Sequence, residues 1–107
     1  MGEIETYFFD TYAFYEIING NRDYKKYERG IAIITTKLNL MELHYGLMLA
    51  YDKIVADNYY DTFLPFVVDI TDSIIKEANE FKAKNRKLKL SYVDCIGYVL
   101  ARNLGIR

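Results

Sequence analysis

The chain alternates between short apolar runs and longer stretches of helical period. Residues 4–9 (Ile4-Glu5-Thr6-Tyr7-Phe8-Phe9) are apolar and aromatic and end at Asp10-Thr11, which predicts a strand. A helix is expected at about 11–18, with Tyr12, Tyr15 and Ile18 on one face, broken by Asn19-Gly20-Asn21. The charged stretch 22–29 reads as a short helix ended by Gly30. Ile31-Ala32-Ile33-Ile34 is a continuous apolar run, the pattern of a strand covered on both faces of a parallel sheet.

Thr35-Thr36 supplies an N-cap for a long helix at about 37–53, whose expected apolar stripe is Leu38, Met41, Tyr45, Met48 and Leu49. A second helical piece, about 55–64, ends near Pro65, and Phe66-Val67-Val68-Asp69-Ile70 predicts a third strand. Thr71 can cap a helix at about 72–85 with Ile74, Ile75, Ala78 and Phe81 facing inward. The last helix runs from Ser91 to about Leu104, Gly105 stops it, and Ile106-Arg107 looks like the first step of another strand. Strands alternating with helices favour an α/β domain with a parallel sheet. There is no internal repeat, linker or low-complexity segment.

The length of 107 residues suits one domain, 1–107, and 51% apolar residues suffice for a core. With 14 basic and 15 acidic side chains the net charge is -1, which excludes a generally basic nucleic-acid coat but leaves room for a local basic surface. The single cysteine, Cys95, fits a reducing cytoplasm and has no zinc-like partner. No apolar stretch approaches the roughly 20 residues that span a bilayer, and the acidic N-terminus lacks a signal-peptide pattern. The expectation is a cytoplasmic protein with no membrane association. Eleven tyrosines and six phenylalanines fill half-buried positions or form a rim for a partner or for stacking bases.

Against this background three carboxylates are out of place. Asp10 closes the first strand, Glu42 falls on the expected oily stripe of the long helix, and Asp94 opens the last helix beside Gly97 and Ala101. A buried carboxylate costs several kcal/mol unless it is paired, hydrogen-bonded or bound to a cation, so three of them suggest one shared acidic pocket holding a divalent metal. Each also has a plain structural explanation. Asp10 is a good N-cap, Glu42 can reach water or Lys37, and Ser91-Tyr92-Val93-Asp94 resembles a capping box. Gly97 and Ala101 would leave space over Asp94 for a metal and a phosphate.

Phe8-Phe9-Asp10-Thr11, Asn39-Leu40-Met41-Glu42-Leu43 and Leu90-Ser91-Tyr92-Val93-Asp94-Cys95-Ile96-Gly97-Tyr98-Val99-Leu100-Ala101, in this order and spacing, resemble the PIN-domain ribonucleases, and within them the VapC-type toxins of toxin–antitoxin pairs. The resemblance covers nearly the whole chain and implies a PIN-like three-layer α/β/α domain with a parallel sheet. It implies metal-dependent cleavage of RNA with Asp10, Glu42 and Asp94 as catalytic, metal-binding acids, Thr11 as a secondary polar group and Ser91 holding Asp94. It also implies Mg²⁺ or Mn²⁺ as cofactor, an RNA substrate, a cognate antitoxin and a homodimer. Hard oxygen ligands suit those ions. His44, two residues from Glu42, points to another face and is expected to be structural.

The family pattern continues with a fourth acid in a Thr-x-Asp-like segment on a strand after the last helix, whereas this sequence stops at Gly105-Ile106-Arg107. A chain truncated at its C-terminus, missing those strands, is favoured over a naturally short relative, because the first strand would otherwise keep an open edge. Lys82, Lys84, Arg86, Lys87 and Lys89 form a basic run that either grips RNA phosphates or complements the end of a helix. Tyr59-Tyr60 and Phe63-Leu64 either face a partner or pack on the sheet. The alternative to a nuclease is a non-catalytic PIN-like module that binds RNA or protein. A receiver-like signalling domain fits poorly, because Asp69 is a weak substitute for its phosphoacceptor.

Overall fold

The structure is a computed structural model, and it describes residues 5–20 and 31–106. The charged helix expected at 22–29 and its stop at Gly30 lie outside the described residues. In chain order the elements are strand β1 (Glu5–Phe8), helix α1 (Thr11–Ile18), strand β2 (Ile31–Ile34), helix α2 (Lys37–Ala50), helix α3 (Lys53–Phe63), a 3-10 turn (Leu64–Phe66), helix α4 (Asp72–Lys84), a second 3-10 turn (Arg86–Leu88) and helix α5 (Tyr92–Leu104).

β1 and β2 pair in parallel with Glu5 opposite Ile31 and Phe8 opposite Ile34. Successive strand residues point to opposite faces. Tyr7, Phe9 and Ile33 therefore join a core with Phe14, Leu40, Leu43, Leu47 and Ala56, which α1, α2 and α3 cover. Phe8 goes the other way, to a core of Ile74, Ala78, Cys95, Ile96, Val99 and Leu100 under α4 and α5. The result is the three-layer α/β/α arrangement with the sheet between two helical layers. Phe14 is the fully buried centre of the first core, edge-on to Phe9 at 5.5 Å and tilted against Phe63 at 4.5 Å. Tyr59, Tyr60 and Phe63 pack half-buried against that same core, and Leu64 is exposed.

Local capping sets most helix boundaries. Asp10, Thr36, Asp52, Thr71 and Ser91 each accept a hydrogen bond from a first-turn amide of the helix that follows. Asp52 explains why α2 ends at Ala50 rather than near 53: its side chain takes the Val55 amide at 2.8 Å and starts α3. Gly105 closes α5 in the left-handed conformation at φ 67°, where a side chain would be strained. The Ile106 amide turns back to the Ala101 carbonyl at 2.9 Å and finishes this cap, and Arg107, the other residue of the expected strand start, lies outside the described residues.

Four expectations need correction. The buried face of α2 is Asn39, Leu40, Leu43 and Leu47, while Met41, Tyr45 and Leu49 are 57%, 62% and 70% exposed. Both sets have helical spacing, because α2 is apolar nearly all round, and the packing against Phe14 and Ala56 selects the leucines. The third strand shrinks to one parallel bridge between Thr35 and Val67. The 3-10 turn engages the Val67 amide with the Leu64 carbonyl at 3.1 Å, which leaves only Val68 to donate to Thr35, at 2.9 Å. Tyr12 and Ile75, expected to face inward, are exposed, and β2 is half-buried rather than covered on both faces.

His44 joins α2 to α3 through Asp57 at 2.7 Å, and Lys53 reaches the same carboxylate at 2.5 Å. These bonds, His44 first, hold the Asp57 carboxyl below its ordinary pKa. His44 is thus structural, as its position in the sequence suggests.

The rotated face of α2 has a direct check by urea denaturation. Leu43→Ala should destabilise the protein by about 2–5 kcal/mol, whereas Tyr45→Ala should change stability by less than about 0.5 kcal/mol. The reverse order would restore the stripe through Tyr45 as the core face.

Candidate active site

The site starts where β1 ends. Pairing continues one residue beyond the strand, with the Phe9 amide donating to the Ile34 carbonyl at 2.9 Å and the Thr35 hydroxyl to the Phe9 carbonyl at 2.8 Å. Asp10 follows in extended conformation and caps α1, its Oδ1 accepting the Ala13 amide at 2.8 Å. Its Oδ2 meets no protein donor among the described residues.

Across β1, α5 opens with a reciprocal capping box. The Ser91 hydroxyl accepts the Asp94 amide at 3.1 Å, and Asp94 Oδ2 accepts the Ser91 amide at 3.4 Å. Asp is one carbon shorter than the usual Glu, so this return bond is long and the carboxylate stays exposed. Asp10 and Asp94 line one cavity of about 410 Å³. Each sits at a helix N-terminus, where backbone amides favour negative charge.

Glu42 enters differently from the expectation. It is exposed, as Asp10 and Asp94 also are, so none of the three is the buried carboxylate that was expected, and most of the apolar stripe that carried the argument for Glu42 is itself on the surface. Its Oε1 accepts the Thr11 hydroxyl at 2.9 Å, which ties it to the residue after Asp10. Thr11 also receives the Asn39 side-chain amide at 3.4 Å. Asn39, nearly fully buried, lines the same cavity as Asp10 and Asp94. The structure therefore brings Asp10 and Asp94 to one cavity, whereas Glu42 does not line it and is tied to Thr11, the residue after Asp10. Among the described residues no three His, Cys, Asp or Glu side chains cluster closely enough to hold an ion by themselves.

Sequence reasoning missed a buried polar cluster behind the cavity, of which Asn39 reaches the lining. Thr35 and Thr36 are completely buried and Asn39 nearly so. Thr36 Oγ1 donates to Asn39 Oδ1 at 2.6 Å and accepts the Asn39 amide at 3.1 Å. No buried side-chain nitrogen or oxygen among the described residues lacks a partner. In the sequence Thr35, Thr36 and Asn39 stand with Lys37 at the start of a helix, where polar residues are ordinary, so no local signal marks them as buried.

Gly97 and Ala101 line the cavity beside Asp94, as expected, and Gly97 meets a second need. A Cβ there would lie 2.8 Å and 2.9 Å from two ring carbons of Phe8. The glycine lets α5 approach β1 closely enough for Asp94 to face Asp10 across the cavity. On the Glu42 side, the Tyr15 hydroxyl occupies the position where a Gly46 Cβ would stand, 1.5 Å away. Burial first, and the Glu42 charge second, push the Tyr15 phenol above its ordinary pKa.

The donor set suits a divalent ion of the Mg²⁺ or Mn²⁺ type: two carboxylates with hard oxygens on one cavity, with Asn39 in the same lining and without sulfur. Mg²⁺ commonly uses one or two protein carboxylates and completes its sphere with water and phosphate, so a cluster of three is not required. A larger depression of about 630 Å³ between α2 and α3 contains His44 and Asp57, but these are engaged with each other.

An α/β domain whose acids collect at the carboxyl end of its first parallel strand places its ligand where open α/β sheets place theirs. The PIN domain family matches residues 7–107, which takes in the end of β1 and all three acids, and the chain belongs to that family. PIN domains are generally nucleases that act on RNA and typically depend on a divalent metal. No curated protein and no solved structure matched the chain. Among the described residues no helix is long and apolar enough to cross a membrane.

The contact that sets the width of the site is testable. Gly97→Ala should cost about 1–3 kcal/mol in urea denaturation, through overpacking against Phe8. Adding Phe8→Leu should recover part of that loss, a non-additivity expected only of touching residues. Strictly additive losses would show that Phe8 does not fill the glycine's place.

Proposed function

We propose that this chain is a metal-dependent endoribonuclease hydrolysing RNA phosphodiester bonds, and that it acts as the VapC-type toxin of a toxin–antitoxin pair. The observation that carries the nuclease is the meeting of Asp10 and Asp94 on one cavity at the end of β1, each at a helix N-terminus. Asp10, Glu42 and Asp94 would hold Mg²⁺ or Mn²⁺. When bound, such an ion supplies acidification of a water and neutralisation of charge building on the phosphate.

The chain's own groups prepare that chemistry. The Ala13 amide fixes one oxygen of Asp10 and leaves the other for the site. Ser91 orients Asp94, and the Thr11 hydroxyl holds Glu42 beside α1. The amides opening α1 and α5 favour the approach of a phosphate. Lys84, Arg86, Lys87 and Lys89 are exposed on the turn between α4 and α5 and can meet more distant phosphates.

The toxin role rests on the family resemblance and on the outward face of α2. Met41, Tyr45 and Leu49 are exposed together, with Ile54 at the start of α3 also open. Large exposed apolar surfaces mark interaction sites, which suits a cognate antitoxin and a second copy of the chain. The second reading, a non-catalytic PIN-like module that binds RNA or protein, is favoured by one observation: no three metal-binding side chains cluster among the described residues.

Cleavage of labelled RNA separates these. The protein with Mg²⁺ or Mn²⁺ should cut, and EDTA or Asp10→Asn should lower the rate by at least about a hundredfold. Cutting that survives both changes rejects the metal-dependent site, and RNA binding with no turnover in any metal selects the non-catalytic module.

A further inference from the structure

Helix α2 carries a glycine where a helix does not favour one. Gly46 lies in the interior of α2, at a cost of about 1 kcal/mol relative to alanine. Its backbone is ordinary helix and not left-handed, so conformational freedom does not call for it. Tyr15 of α1 does. Its hydroxyl oxygen fills the place of the missing Cβ, and the ring carbon that bears the hydroxyl lies 2.9 Å from that place. The ring itself packs half-buried against the first core, where phenylalanine would serve as well. Only the phenol oxygen reaches the notch.

This contact is one turn from Glu42. Tyr15 follows Thr11 by four residues on α1, and Gly46 follows Glu42 by four on α2, so each pair shares one helix face. The helices thus meet at two levels, Thr11 on Glu42 and Tyr15 on Gly46, separated by a rise of about 6 Å. At the first level the Thr11 hydroxyl has one proton and two acceptors on α2. Glu42 Oε1 is at 2.9 Å and the Asn39 carbonyl at 3.3 Å. The gap between the helices decides which acceptor is reached. Because α1 has only eight residues, a second level of contact fixes its angle to α2.

We propose that Tyr15 is a positioning residue for Glu42. Its phenol end, seated in the notch at Gly46, sets the separation of α1 and α2 at which the Thr11 hydroxyl bonds Glu42 in preference to the Asn39 carbonyl. The Glu42 carboxylate is thereby held against the residue that follows Asp10. The consequence for catalysis rests on the nuclease reading, in which Glu42 joins Asp10 and Asp94 in holding the ion. The positioning itself rests only on the packing of two helices.

Urea denaturation of the whole chain tests the positioning without metal. Thr11→Val and Glu42→Gln should be non-additive, because the two residues share a bond. Tyr15→Phe empties the notch and should remove most of that non-additivity. Gly46→Ala added to Tyr15→Phe puts a methyl where the hydroxyl was and should bring it back, whereas Gly46→Ala alone should destabilise the chain through the clash with Tyr15. A cooperative transition shows that each variant is folded. Isothermal titration with Mn²⁺ adds a readout that packing alone would not move. Tyr15→Phe should weaken Mn²⁺ binding by up to about tenfold, and should have no further effect in the Glu42→Gln chain. Additive Thr11 and Glu42 losses in the native chain overturn the proposal, as does coupling that Tyr15→Phe leaves intact. So does a Tyr15→Phe loss of Mn²⁺ affinity that persists in the Glu42→Gln chain. Mn²⁺ affinity indifferent to Glu42→Gln, with the Tyr15-dependent coupling present, removes Glu42 from the ion site and leaves the positioning standing.

Discussion

Everything at the site depends on how the end of β1 is locked to the end of β2. Thr35 does the locking. Its hydroxyl holds the Phe9 carbonyl, its amide donates to Phe66, and its own carbonyl accepts from Val68. The residue is fully buried, so each of these groups left unpaired would cost about 1–3 kcal/mol. The three segments are thereby held level. Asp10 and Thr36 then begin α1 and α2 at neighbouring points, and the Thr11, Asn39 and Glu42 side chains meet between them.

The strand period does the rest. Phe8 and Phe9 leave β1 in opposite directions, one to each core. Phe9 supports α1 through Phe14, and Phe8 fits into the missing side chain of Gly97 on α5. One dipeptide thus fixes the distances of the two helices whose first turns carry Asp10 and Asp94. The acids are placed by ordinary helix capping, which engages one oxygen of each. The structural explanation for Asp10 and Asp94 and the functional one are compatible, because the cap orients the carboxylate that faces the cavity.

What was legible in the sequence follows from how local each determinant is. Thr36, Thr71, Ser91 and Gly105 act within a few residues, and the helices they bound lie where their spacing puts them. The face of α2 was not legible, since Leu40, Leu43 and Leu47 compete with an equally apolar set at Met41, Tyr45 and Leu49 and only tertiary contacts choose. The third strand failed because the turn at Leu64-Pro65-Phe66 consumes the Val67 amide. Glu42 was singled out for a burial it does not have, yet it reaches the site region through Thr11, a contact across 31 positions that no local pattern encodes. Thr35 and Asn39 were passed over because a buried polar residue is conspicuous only when burial is known.

Two acids facing one cavity, with like charges at adjoining helix ends, suit a cation that joins them. Isothermal titration with Mn²⁺ measures that directly. A single saturable site should appear, weakened at least about tenfold by Asp10→Asn and by Asp94→Asn, and unchanged by Asp61→Asn in the separate depression between α2 and α3. Mn²⁺ affinity that ignores both Asp10 and Asp94, or no binding at all, would contradict the account.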